Sequence, residues 1–340
     1  MKFRTAFRVL LLVTGVFVDR AVGGELAAYE PQPVAIPQDA SYLQADGSVL
    51  IVGNDGMELL LRQFNELFIR THPGFKFTLR CKGSSTGMGG LTAGVSALAP
   101  MSREGWPVEI EPFRRLYGYE PVDIHIGRTG YSGPGRKNPP AVYVNVKNPL
   151  TGITLDQLTR IFTTGQPGGD LTHWRQVDAG GADRVIHVYG PRDDGGFATA
   201  LRAARMSDAP FTRRYEALTG YAAVLTAVAG DVQGIGLAGF VDAATMPPEV
   251  RLLALAGSPD TRATLPDYES VRTGRYPLAH FIRLYVNRAP GQPLDPFVKE
   301  YARLVLSREG QAIIAGFKAS DEGYVPLTAA EVAAELLKLK

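Results

Sequence analysis

Cysteine is almost missing from this chain: Cys81 is the only one among 340 residues. A single cysteine closes no intrachain disulfide, builds no Cys-x-x-Cys metal site, and, lying well inside the chain, offers no lipid attachment point behind a leader. It reads as a small buried apolar residue at the end of a strand. Net charge is equally scarce, +2 in total, which excludes a global basic field for nucleic acid and an acidic tail. Any preference for anions must therefore be local. The histidines His72, His125, His173, His187 and His280 are scattered without metal-ligand spacing and read as structural or surface residues. No repeat recurs at a period of about 20 to 50 residues.

Long apolar runs are lacking as well. The run from Val9 to Val18 covers ten residues, too few to span a bilayer. With Lys2, Arg4 and Arg8 before it and Ala21-Val22-Gly23 after it, the layout is that of a secretory signal peptide over residues 1–23. Asp19-Arg20 makes the region before the cut untidy.

What is present is ample core material, 45% hydrophobic residues against 21% charged, in a chain long enough for two domains. After a lead carrying Pro31, Pro33 and Pro37, strand and helix patterns alternate, which argues for α/β architecture. Met57, Leu60, Leu61, Phe64, Leu67 and Phe68 recur at helical spacing, and His72-Pro73-Gly74 stops that helix. Ala141 to Val146 reads as a strand; Thr154 with Gln157 forms a capping box ahead of Leu158, Ile161 and Phe162. Gly and Pro cluster at 130–140 and 165–169, marking long loops. Phe297, Tyr301, Leu304 and Val305 mark the last strong helix, continued by Ile313 and Ile314.

Three stretches share one design, an apolar run, a small polar loop and a helix start. They are Val49–Val52 into Gly53-Asn54-Asp55-Gly56, Phe75–Leu79 into Gly83-Ser84-Ser85-Thr86-Gly87, and Val185–Tyr189 into Arg192-Asp193-Asp194-Gly195-Gly196. A helix start offers unpaired N–H groups and the positive end of the macrodipole, so three converging starts make an anion site.

The order of motifs then becomes specific. Gly83–Gly87, Ala99-Pro100-Met101-Ser102-Arg103-Glu104, Val142–Asn145 with Asn148-Pro149, Leu155–Phe162 and Trp174 follow one another, and the chain ends on Tyr276-Pro277-Leu278, Ser307–Gln311 and Gly323–Leu327. This series resembles the phosphate-binding proteins of bacterial ABC uptake systems. The resemblance implies a type II periplasmic binding protein, two α/β domains joined by two crossing strands with the ligand cleft between them. It places the first domain at residues 24–128 plus 257–340 and the second at 129–256. It also implies an exported, periplasmic and monomeric protein with no cofactor, whose partners are phosphate or a related oxyanion and the membrane permease and ATPase subunits of a transporter.

Residue by residue, the resemblance implies that Asn54, Asp55 and Gly56 form the first binding loop, Ser84, Ser85 and Thr86 the second, Ser102 and Arg103 the third, and Arg192 with Asp194 the fourth. Hydroxyls and N–H groups donate to a tetrahedral oxyanion from several directions, and an arginine adds a charged fork. A carboxylate such as Asp55 or Asp194 accepts from a protonated phosphate and repels fully ionised sulfate. One departure is visible: the family's Gly-Ser-Gly-Thr after the fourth-loop arginine is here Gly195-Gly196-Phe197-Ala198. Two lost neutral hydrogen bonds at roughly 1 kcal/mol each correspond to about a 30-fold loss of affinity. Arg192 is then expected to be the main anchor of its domain.

Alternative readings stand beside these, the first a binding protein for another oxyanion or a phosphorylated compound with a sensing or adhesion role at the cell surface. Ser84 to Thr86 fit plain helix caps, and Arg103 and Arg192 fit surface ion pairs. Gly83-x-Ser85-x-Gly87 also fits a nucleophile elbow, with Ser85 attacking, His280 as base and Asp267 as orienter, but no HGG-type oxyanion loop precedes it. Trp106, Tyr117, Tyr119 and Trp174 read as packing residues.

Overall fold

The computed structural model describes residues 25–340 apart from 37, 134, 135 and 182. The signal peptide expected over residues 1–23, and Pro37 of the lead, lie outside the described residues.

The two largest of four hydrophobic clusters among the described residues divide the fold. The first gathers residues from Val49 to Ile126 and again from Ile282 to Leu339; the second runs from Tyr131 to Ala279, with Val325 added. The chain thus passes between them near residues 128–131 and again near 279–281. Val271, Tyr276, Leu278 and Ala279, C-terminal to Ala256, pack in the second core. At the crossings, the Thr129 N–H donates to the His280 carbonyl at 3.0 Å, and Arg128 and Val325 exchange backbone bonds at 2.7 and 3.0 Å.

In the first unit, strands Val49–Gly53 and Phe77–Cys81 pair in parallel, and Phe281–Val286 lies between Ala99–Met101 and Val122–Arg128, antiparallel to both. The helix Glu58–Thr71 follows the first strand, and its stripe of Leu60, Leu61, Phe64 and Phe68 is wholly buried. Helical spacing alone places that stripe, because residues three and four apart share a face. The helix Ser84–Thr92 begins after Gly83, whose φ of 119° requires glycine. A Cβ on Gly87 would lie 3.3 Å from the Gly53 backbone, so helix and strand end touch main chain to main chain.

The second unit is a five-stranded sheet ordered Val250–Leu252, Ala141–Asn145, Gly234–Ala238, His187–Pro191, Tyr215–Leu218. Two segments expected as strands sit two residues later than their apolar runs suggest: Phe77–Cys81 for 75–79 and His187–Pro191 for 185–189. In both, pairing with a neighbouring strand decides the register rather than the hydrophobic run itself. The capping box at Thr154 forms as the spacing predicts, with Gln157 N–H donating to Thr154 Oγ1 at 3.1 Å.

Candidate functional site

A cleft of about 670 Å³ opens between the two units. Its first wall comes from the turn after Val49–Gly53 (Asn54, Asp55, Gly56), the turn after Ala99–Met101 (Ser102 to Trp106) and the C-terminal loop carrying Asp321, Glu322 and Tyr324. Tyr324 positions the first of these by donating its hydroxyl to the Gly56 carbonyl at 2.9 Å. The second wall is one side of the helix Gly196–Arg205, together with Pro139, Pro140, Tyr221 and Phe240; Thr129, Leu278 and His280 of the two crossings also line the space.

Of the residues expected at the site, Asn54, Asp55, Gly56, Ser102, Arg103 and Gly196 line the cleft. Ser84 stands just behind it, accepting from the Asn54 side-chain amide at 3.2 Å and the Ser102 N–H at 3.3 Å. The Ser85 hydroxyl donates to Glu109, and the Thr86 hydroxyl donates back to the Gly83 carbonyl at 2.7 Å, within its own turn. Neither lines the cleft. Ser85 and His280 share no hydrogen bond: His280 instead approaches the Leu278 carbonyl at 3.4 Å.

The fourth loop departs most from expectation. Arg192 grips Asp194 through two bonds of 2.9 and 2.7 Å, both side chains stand in solvent, and neither lines the cleft. Adjacency in sequence explains it: a carboxylate two residues away satisfies the guanidinium fork locally. Gly195 is the N-cap of the following helix, one residue outside the wall.

Arg103 is also neutralised. Its guanidinium donates to both Glu109 oxygens at 2.8 and 2.6 Å and lies 3.7 Å over the Trp106 ring. Glu109 simultaneously accepts the Trp106 N–H at 2.8 Å as the capping residue of the helix Pro107–Tyr117. Burial works against ionising Glu109, yet the bonds from Arg103, Ser85 and the Trp106 N–H hold its carboxyl below the usual range. Trp106, expected as a packing residue, is therefore part of the cleft wall. Trp174 does pack in the second core, and Tyr117 and Tyr119 pack against Phe113.

Arg205, which sequence reasoning missed, differs from both. It closes the helix that begins at Gly196, lines the cleft, and donates to three carbonyls: Pro277 at 3.1 Å, Ala204 at 2.9 Å and Ala279 at 3.2 Å. Among the described residues none of its hydrogen bonds goes to a carboxylate. Burial lowers its pKa, yet an arginine stays charged. His280 beside it is pushed down to about 4, by burial first and by the charges of Arg205 and Arg283 as well, so it is neutral at neutral pH. At the other end of the first wall, burial raises the Glu322 carboxyl, with Asp55 and Asp321 adding to the effect and Lys137 opposing it.

Two crossing segments, two α/β units and a cleft walled by both point to one architecture, and the profile of the PBP superfamily domain matches residues 40–309. The chain belongs to the PBP superfamily. Over 333 residues it is 28% identical to the phosphate-binding protein PstS of Pseudomonas aeruginosa, covering 96% of this chain and 97% of that one. It is 24% identical over 269 residues to the protein SphX of Synechococcus elongatus, covering 78% and 73%. Among solved structures, PstS from Borrelia burgdorferi superposes with a TM-score of 0.55 at 18% identity, covering 82% of this chain and 98% of that one. An ABC-type phosphate transport receptor from Vibrio cholerae gives 0.52 at 18%, covering 82% and 99%. These two structures share the fold of this PBP chain, and the family resemblance read from its motifs is met.

Proposed function

We propose that this protein captures phosphate, or a closely related tetrahedral oxyanion, between its two units for an ABC transporter. The phosphate-binding protein of Pseudomonas aeruginosa, aligned over nearly the whole of both chains, supports the ligand class. One observation in the cleft carries the reading: Arg205 is a half-buried cation whose hydrogen-bonding partners are carbonyls rather than a carboxylate. A charge withdrawn from water costs several kcal/mol unless a counter-charge meets it. Glu104 acts on Arg205 through space without a hydrogen bond, and an oxyanion in the cleft supplies a counter-charge in direct contact. The first wall then contributes Asn54, the Ser102 hydroxyl and the helix start at Asp55–Gly56, while Asp55 accepts from a protonated ligand.

In this reading the two units are residues 25–128 with 280–340, and residues 129–279. Packing of Val271 to Ala279 in the second core supports moving the boundary from 257 to 280. The protein acts as a binding protein rather than an enzyme. It is exported by its signal peptide to the periplasm, works as a monomer, and delivers its ligand to permease and ATPase subunits. Titration calorimetry of the purified protein against phosphate, arsenate, sulfate and molybdate tests the ligand. Phosphate and arsenate are expected to bind and sulfate to be rejected; tighter binding of sulfate or molybdate than of phosphate overturns the proposal.

A further inference from the structure

The two walls of the cleft differ in chemistry. The first carries Asp55, Glu104, Asp321 and Glu322, whereas the second offers ring and methyl groups, with charge only at Lys137 and Arg205. Along the helix Gly196–Arg205, the residues Phe197, Ala200, Leu201, Ala204 and Arg205 all reach the cleft. Their spacing of zero, three, four, seven and eight is a single stripe, about 12 Å long at 1.5 Å per residue. It has a cation at one end and an aromatic ring at the other.

That aromatic end is built up. Tyr221 meets the Phe197 ring edge-on at 5.3 Å and the Phe240 ring at 6.3 Å. Phe240 is 53% exposed and holds a left-handed backbone, φ 57°, fixed by its N–H donating to the Asn138 carbonyl at 2.6 Å. A bulky residue in that region stores strain, and such strain is kept where surroundings over-determine it, at ligand clamps among other places. Exposing the ring adds a second cost, which an apolar ligand group removes.

We propose that the cleft takes phosphate as the head of a monoester, with an apolar, ring-bearing substituent lying on Phe197, Tyr221 and Phe240. The proposal rests on the oxyanion reading of the same cleft and narrows it to a substrate class. Size agrees. A bare anion of five heavy atoms fills a small part of 670 Å³, a volume inside the range of roughly 300–1,000 Å³ usual for organic ligands. A substituent on the ester oxygen fills that space and leaves the head at Arg205.

Calorimetry of the full protein with inorganic phosphate, methyl phosphate and phenyl phosphate, at one pH and ionic strength, tests this. Phenyl phosphate is expected to bind at least tenfold tighter than methyl phosphate, and Phe240→Ala to cut that ratio about fivefold or more. Phe240 is exposed, and a melting curve checks that the variant is folded. If inorganic phosphate binds while phenyl phosphate binds no tighter than methyl phosphate, the substituent is wrong and the oxyanion reading stands. A ratio untouched by Phe240→Ala removes the aromatic wall from recognition. Binding of none of the three overturns this inference together with the phosphate reading.

Discussion

The Trp106 ring rests against Gly196 across the cleft: a Cβ on Gly196 would fall 2.8 Å from the ring. One residue belongs to the first wall and the other starts the helix of the second, so the contact reports the separation of the two units. Arg103, lying over the ring and clamped by Glu109, holds the indole to the first unit.

A fluorescence prediction follows from that contact. Trp106 and Trp174 are the only two tryptophans, and Trp174 is 6% exposed inside the second core. Domain movement on ligand binding alters contacts at the cleft and leaves a core intact. Phosphate is expected to change the emission of the wild type and of Trp174→Phe, and Trp106→Phe to lose most of the change. A full response from Trp106→Phe would show that the indole does not sense the ligand.

Arg205 is predicted to matter more to binding than Arg192. Removing a hydrogen bond to a charged group costs about 1.5–3 kcal/mol, roughly 10- to 150-fold in affinity, and more if the ligand charge is left buried. Arg205→Ala is expected to lose at least that much, and Arg205→Lys to recover part of it, since lysine lacks the planar fork. Arg192, already paired with Asp194 in solvent, is expected to bind phosphate like the wild type when changed to alanine. Titrations ranking Arg192→Ala as the worse variant would return the anchor to the fourth loop.

What the sequence revealed depended on whether a signal was local. The stripe from Leu60 to Phe68, the Thr154 capping box and the glycine at 83 are set by spacing and backbone geometry within a few residues, and each appears in the fold. The strand-loop-helix design also located Asn54 to Gly56 on the cleft, and the family resemblance located Ser102 there. Arg192, expected on the cleft, lies off it and pairs with Asp194, a partner as local as the loop itself, and no motif says which of two functions a guanidinium serves. Arg205 was missed because it ends a helix whose start drew attention; its carbonyl partners lie more than 70 residues away, at Pro277 and Ala279. The boundary proposed near 279 rests likewise on long-range packing of Tyr276 and Leu278, which no periodicity discloses.

Acid stability tests the Arg103 clamp. The Glu109 carboxyl titrates below its ordinary 4.5 in the folded protein, so the unfolded chain takes up its proton first as pH falls. Its contribution is fully present above about pH 4.5 and is lost as pH drops through the lower folded value. Glu109→Gln is therefore expected to lower the melting temperature near pH 7, with the gap to the wild type closing as pH falls below about 4.5. A gap that stays constant across that range would separate Glu109 from the ionic clamp.

His280 titrates in the opposite sense for a base. Its ordinary value of 6.5 is lowered to about 4 by burial, reinforced by Arg205 and Arg283. Between those two values the unfolded chain binds a proton that the folded cleft refuses, so stability rises with pH across the window and declines as pH falls from about 6.5 to 4. His125 pulls the other way. Burial lowers its pKa, but the hydrogen bonds its ring donates to Asp123 and Glu335 outweigh it and raise the net value, so its stabilising share is lost as pH rises. The wild-type profile mixes the two, and comparison with His280→Gln separates them. The variant is expected to lose less stability than the wild type between pH 6.5 and 4, measured by denaturant unfolding at half-unit steps. Parallel profiles would mean that His280 takes its proton as freely in the folded cleft as in water.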